Sequence, residues 1–109
     1  MAASLDIELM RGAIRAGRVI WQRHALERLM ERGILRSEVI DVLLGGERIE
    51  DYPEDWPWPS ALFLTRGGVR PLHVVASHHE ASDRVAVITA YEPTLDRFEA
   101  DLRTRRTKP

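Results

Sequence analysis

The chain has 109 residues, of which 44% are hydrophobic and 30% charged, a formal net charge of −1 and no cysteine. These values are typical of one globular domain spanning residues 1–109, and the missing cysteines exclude disulfides and thiolate metal sites. No apolar run reaches the roughly 18–20 residues of a membrane-spanning helix. The first residues do not form a secretory signal, so we expect a cytoplasmic protein without membrane contact.

The N-terminal residues predict a helix followed by a short strand. Apolar residues recur at helical spacing within residues 1–17, with Ser4 as a candidate N-cap and Gly17 as the terminator. The next four residues, Arg18-Val19-Ile20-Trp21, are short and β-prone, and they predict an edge strand. This strand leads into a second helix that begins near Gln22.

The run from His24 to Gly33 predicts an amphipathic helix. At about 100° per residue, one side collects Ala25, Leu26, Leu29, Met30 and Gly33, and the other collects His24, Glu27, Arg28, Glu31 and Arg32. His24 and Arg28 lie one turn apart, so their side chains can reach the same point. Like-charged neighbours on this polar side favour a functional face, and the alternative is an ordinary solvated helix surface.

A third helix, an exposed strand and an irregular segment come next. Ser37 is a candidate cap for a helix over Glu38–Leu44, which the two following glycines end, and Glu47–Tyr52 predicts an exposed strand. Three prolines and two tryptophans in Pro53–Pro59 exclude regular structure there. Trp56 and Trp58 form either a lid over the edge of the core or a surface that contacts a partner.

The second half of the chain has the two-residue period of strands. Three strands are predicted over Ala61–Arg66, Val69–Ser77 and Arg84–Tyr91, and Gly67-Gly68 predicts a hairpin turn between the first two. In the last strand Val85, Val87, Thr89 and Tyr91 are expected to share one face. Because both faces are largely apolar, we expect the sheet to be covered on both sides. Residues 94–102 predict a weak helix or turn, and residues 103–109 a frayed tail.

These elements together predict an α+β domain. An antiparallel β-meander of about four strands packs against two to three short N-terminal helices. The segments that carry a family resemblance are HAxxRxxERGI from His24, GExIEDYP from Gly46, PSxL from Pro59, PLHVV from Pro71 and VITAYEP from Val87. With these motifs and this element order, the chain resembles a bacterial domain-of-unknown-function family near the RelE/ParE and BrnT toxins.

The resemblance implies a toxin-like component of a bacterial toxin–antitoxin pair. Such a protein would cleave mRNA without a metal or other cofactor. A small antitoxin protein of the zinc-finger type would neutralise it, and the sequence leaves a homodimer open.

Metal-independent RNA cleavage requires a base, an acid and cations that stabilise the charged phosphorane. His24, Arg28, His73 and Tyr91 are the candidate catalytic residues, with His24 as base or acid and Arg28 as charge stabiliser. Arg28, Arg32 and Arg36 are the candidate nucleic-acid contacts, because guanidinium groups bind phosphate in a bidentate way. The alternatives are a hydrogen-bonded sheet histidine for His73 and core packing for Tyr91.

A metal site and a non-catalytic binding module are the two alternative hypotheses to the nuclease. His78 and His79 are adjacent in a strand, so their side chains point apart and no spaced ligand set completes a metal site. The other hypothesis is a protein-binding module without catalysis, in which the polar helix face and the tryptophans contact a partner. The nuclease requires His24 and Arg28 to converge in a cleft with His73 or Tyr91.

Overall fold

The computed structural model describes residues 3–68 and 70–107. Its helices are α1 (Ile7–Arg15), α2 (Arg23–Arg32) and α3 (Arg36–Gly45), and its strands are β1 (Val19–Trp21), β2 (Glu47–Tyr52), β3 (Ser60–Thr65), β4 (Leu72–His79) and β5 (Arg84–Tyr91). The predicted α+β class is confirmed. Val69, where a strand is predicted to start, and the terminal residues 1–2 and 108–109 lie outside the described residues.

The five strands form one mixed sheet in the order β1-β5-β4-β3-β2. Strands β2 to β5 pair antiparallel with their neighbours in the chain, whereas β1 pairs parallel with β5. The sheet is thus five-stranded and mixed, whereas the sequence predicts an antiparallel meander of about four strands. The helix α2 and most of the chain separate β1 from β5, which allows the parallel pairing.

Local side-chain chemistry explains where the helices begin and end. Asp6, rather than the predicted Ser4, caps α1, and its carboxylate accepts a hydrogen bond of 3.0 Å from the backbone N–H of Leu9. Helix α3 begins before the predicted Ser37, because the Glu38 carboxylate accepts the backbone N–H of Leu35 at 2.9 Å. Helix α2 ends at Gly33 as predicted, with φ of 64°.

The hydrophobic core lies between the helices and one face of the sheet. Its members come from all three helices and from β3, β4 and β5, and they include Met10, Leu29, Val42, Phe63 and Val74. Helix α2 buries Ala25 and Leu29, but Met30 is 82% exposed. The buried stripe of α2 is thus narrower than its apolar stripe, and the predicted inward position of Met30 is wrong. Within the described residues, no helix has the length and apolar character needed to cross a bilayer.

The junction between α3 and β2 generates a stability prediction. A Cβ atom at Gly46 would lie 2.4 Å from the carbonyl oxygen of Val42 and 2.8 Å from that of Leu64, and both atoms are backbone. We expect Gly46→Ala to lower the free energy of unfolding by about 1–3 kcal/mol, because the backbone must shift. Gly45→Ala is the matched control, because a Cβ there meets nothing within 4 Å. Urea denaturation of both variants tests this, and equal stabilities would contradict it.

Candidate functional site

His73 and Tyr91 lie side by side on the sheet face that points away from the helices. They are cross-strand partners in β4 and β5, and the Tyr91 hydroxyl is 3.3 Å from Nδ1 of His73. Two residues further along β4, Val75 pairs with Thr89, and the next residue, Ala76, pairs with Val87. Ile88 is therefore an extra residue in β5. This bulge reverses the alternation of the strand. The predicted common face of Val87 and Tyr91 is therefore wrong, and Tyr91 joins His73 instead.

Residues 93–107, which we call the C-terminal arm, cover this second face of the sheet. Phe98 is buried and packs its ring edge-on against His73, with the centroids 4.5 Å apart. The carbonyl oxygen of Leu102 lies 2.7 Å from Nε2 of His73. Turns and an isolated bridge between Phe98 and Arg105 organise the arm. Its residues 103–106, predicted as part of a frayed tail, are instead hydrogen-bonded into the structure.

Ion pairs tie the C-terminal arm to the edge strand β2. Arg103 pairs with Glu47 at 2.5 Å, and Arg105 donates two hydrogen bonds of 2.7 and 3.0 Å to Glu50. Burial raises the pKa of Glu50, but hydrogen bonds from Arg105 and Tyr52 outweigh it and hold that pKa below its usual value. Glu50 is thus ionised at neutral pH and holds the guanidinium of Arg105 beside Tyr91.

The hydrogen bonds of His73 fix which ring nitrogen carries the proton. A carbonyl oxygen can only accept, so Nε2 donates to Leu102 and Nδ1 is free to accept the hydroxyl of Tyr91. Burial lowers the pKa of His73, so the imidazole is neutral. Burial also raises the pKa of Tyr91, so the phenol keeps its proton at neutral pH. The pair is therefore an orientated phenol with a neutral base behind it.

A cavity of about 460 Å³ opens beside Tyr91. Its lining residues come from the end of α2, the end of β5 and the C-terminal arm, and they are Arg32, Tyr91, Glu92, Thr94, Arg97, Phe98 and Arg105. Three guanidinium groups thus face one carboxylate, and Glu92 is already paired with Arg70 at 3.1 Å. Arg97 makes no ion pair within residues 3–68 and 70–107. The cavity is cationic and can accept an anion.

Of the predicted site residues, the structure brings His73, Tyr91 and Arg32 to this cavity or directly beneath it. Arg32 reaches it by donating to the hydroxyl of Thr89 and the carbonyl of Ala90, at 3.2 and 2.8 Å. His24 and Arg28 are exposed on the outer side of α2, and neither lines the cavity. Arg28 pairs with Glu31 at 3.3 Å. The convergence expected of His24 and Arg28 with His73 or Tyr91 is not found.

The remaining predicted contact, Arg36, lies elsewhere. Its guanidinium stacks over the ring of Trp21 at 5.6 Å. Arg97 and Arg105, which lie on the C-terminal arm, are not among the site residues predicted from the sequence. A usable signal was the match between the basic C-terminal residues and the acidic strand Glu47–Tyr52, because opposite charges at that density predict contact.

The fold and the cavity define a small α+β protein with an arginine-lined pocket on the sheet face opposite its helices. The family model described as "Domain of unknown function (DUF4258)" matches residues 21–92, and the chain belongs to this family. The match covers β4, β5 and α2 but ends before the C-terminal arm. No curated protein matches the chain.

Protonation of His73 predicts a pH-dependent stability. Because its pKa in the folded protein lies below the ordinary value of 6.5, the unfolded chain binds the proton first as pH falls. The free energy of unfolding should therefore fall as pH drops below 6.5, and His73→Gln should flatten that slope. Urea denaturation at several pH values measures it. His79→Gln is the comparison, because burial also lowers the pKa of His79. An unchanged slope in His73→Gln would contradict the assignment.

The hydrogen bonds of Asp101 help to hold the C-terminal arm in its folded conformation. Asp101 accepts hydrogen bonds from the Thr104 hydroxyl and from the backbone N–H groups of Thr104 and Arg103, which lower the pKa of Asp101 to about 2. The stabilisation is therefore lost as pH falls from the ordinary 3.8 towards about 2. At neutral pH we expect Asp101→Ala to speed proteolytic cleavage of the arm several-fold. Asp96→Ala, an exposed change on the same arm, serves as control, and equal cleavage rates would count against this role.

Proposed function

We propose that the chain is the toxin-like component of a bacterial toxin–antitoxin pair and acts as a metal-independent endoribonuclease. The observation that carries this proposal is Tyr91, whose hydroxyl lies 3.3 Å from a buried neutral imidazole and which lines a cavity with three arginines. A relation to the RelE/ParE and BrnT toxins, which the sequence motifs imply, belongs to this proposal. So does a small antitoxin protein as the partner.

The arginines supply the electrostatic part of the proposed chemistry. Cleavage through the 2′-hydroxyl passes through a phosphorane with extra negative charge, which pre-positioned cations stabilise. Arg105 is held in place by Glu50, and Arg32 by the carbonyl of Ala90. Both guanidinium groups are therefore orientated before an RNA phosphate arrives, and Arg97 adds a third cation. This arrangement suits a phosphodiester better than a neutral ligand.

Tyr91 and His73 supply the proton transfer. In the proposed step, the Tyr91 oxygen takes the proton of the RNA 2′-hydroxyl and passes its own proton to Nδ1 of His73. The 2′-oxygen bonds to phosphorus, the bond from phosphorus to the 5′-oxygen breaks, and water in the open cavity protonates the leaving oxygen. Nε2 keeps its hydrogen bond to Leu102 throughout, so the imidazolium that forms is stabilised by that carbonyl. His73 thus acts on the substrate through Tyr91.

His24 and Arg28 form a competing location for the same activity. Their side chains are exposed on α2, so a long RNA could contact them outside the cavity. Variants distinguish the two locations, because substitution of Tyr91 removes activity only if the site is the cavity.

The second candidate function is a protein-binding module on the same scaffold. Trp56 is 90% exposed, and an aromatic side chain of this size in water commonly marks a binding surface. This alternative needs no chemistry at Tyr91.

The test has two parts. The chain and its variants are expressed in a bacterial host, and the purified proteins are assayed for RNA cleavage in the presence of a metal chelator. We expect Tyr91→Phe to lower the cleavage rate by about 100-fold or more, because general acid–base groups contribute that much. Arg97→Ala should weaken RNA binding, and growth arrest should disappear in both variants.

Two matched variants make this test selective. Arg23→Ala removes an exposed arginine that pairs with Glu27 away from the cavity, and it should leave cleavage unchanged. His24→Ala separates the two locations. If His24→Ala loses activity while Tyr91→Phe keeps it, the site lies on α2 instead. No cleavage and no growth effect in the unmodified chain would overturn the nuclease and favour the binding module.

A further inference from the structure

Trp56, Pro57 and Trp58 form a projecting segment between two grooves, which we call the tryptophan ridge. One groove, of about 400 Å³, runs along the ridge past Glu54, Asp55 and Glu80. The other, of about 310 Å³, passes over the sheet and reaches Ala86 and Ile88. Neither groove shares a described lining residue with the arginine-lined cavity.

The tryptophan ridge is held in a fixed position although it projects into solvent. The ring of Trp58 stacks on the ring of His79, with centroids 5.7 Å apart and planes 21° from parallel. At the base of the ridge, the hydroxyl of Ser60, a buried residue of β3, donates a hydrogen bond to the carboxylate of Asp55. Trp56 itself is almost fully exposed, so it covers no part of the core. A tryptophan side chain has only two rotatable torsions, so it loses little entropy when a partner covers it.

The charges around the tryptophan ridge have one sign. Glu54, Asp55 and Glu80 are the acidic residues that line the two grooves, and no lysine or arginine is among the described lining residues. Two basic residues neighbour the lining residues: Arg84 lies opposite His79 in the sheet, and Arg23 follows Gln22 in the chain. Arg23 pairs with Glu27. Such a surface attracts cations and repels phosphate.

We propose that the tryptophan ridge binds a basic amphipathic segment of a partner protein. Arginine or lysine side chains of that segment would stack over Trp56 and pair with the carboxylates of Glu54 and Glu80. Its apolar side chains would enter the groove that ends at Ile88, which is itself 40% exposed. This inference rests on the protein-binding function proposed for the tryptophans. It is independent of RNA cleavage, because the cavity beside Tyr91 is cationic and the ridge is acidic.

The experiment measures binding of a short fluorescein-labelled peptide of repeating arginine, leucine and alanine by fluorescence anisotropy. Two matched peptides carry glutamate or glutamine in place of every arginine. We expect the basic peptide to bind the full chain tightest, and added salt to weaken that binding. Trp56→Ala should weaken it at least about tenfold, as loss of a central aromatic anchor does. The double variant Glu54→Gln/Glu80→Gln should weaken it several-fold and reduce its salt dependence.

Controls separate this surface from others. Met30→Ala removes another highly exposed apolar side chain, 82% exposed and outside both grooves, and Arg97→Ala changes the cationic cavity, so both should leave peptide affinity unchanged. Tighter binding of the glutamate peptide would retain a protein-binding surface and overturn the basic partner. If none of the three peptides binds, or if Trp56→Ala binds the basic peptide as tightly as the unmodified chain, both the protein-binding surface and the basic partner are overturned. Self-association in sedimentation that Trp56→Ala abolishes would also overturn them, since the occupant would then be a second copy.

Discussion

The hydrogen bond between Nε2 of His73 and the carbonyl of Leu102 is the contact on which the candidate site depends. It fixes the tautomer of a buried neutral imidazole, and so it decides that Nδ1 faces the Tyr91 hydroxyl as an acceptor. The same bond brings the C-terminal arm across the sheet, which places Phe98 over His73 and forms one wall of the cavity. Leu102 has a φ of 62°, an unusual value for a residue with a side chain, and it belongs to the turn that presents this carbonyl.

Local patterns were sufficient to predict most of the elements. The helical spacing in α2 and the αL glycine at its end are properties of a few neighbouring residues, and the structure agrees with both. The direction in which β1 pairs with β5 is not local, and neither is the depth to which α2 sinks into the core. Met30 shows the second difficulty: it lies on the apolar side of the helix, but it is 82% exposed, so no described residue reaches far enough to cover it.

The candidate site was harder to predict than the fold, because two of its determinants leave almost no trace in the pattern. A single extra residue, Ile88, places Tyr91 on the face of His73, and alternation alone assigns it to the other face. The arm joins the site through ion pairs between Arg103 or Arg105 and β2, across more than fifty residues of chain. Hydrophobic periodicity carries no information about such contacts, whereas the separation of acidic and basic segments along the chain does.

The shortness of β1 has a consequence for solubility. The three residues of β1 pair with β5 only as far as Val87, so among the described residues no strand lies beside the last residues of β5 on that edge. An open stretch of backbone of this kind is where another chain can add a strand and begin aggregation. The Arg32 guanidinium occupies the gap by binding the carbonyl of Ala90. An arginine at this position therefore helps to keep the protein from aggregating. We expect this benefit even in a relative that binds no RNA.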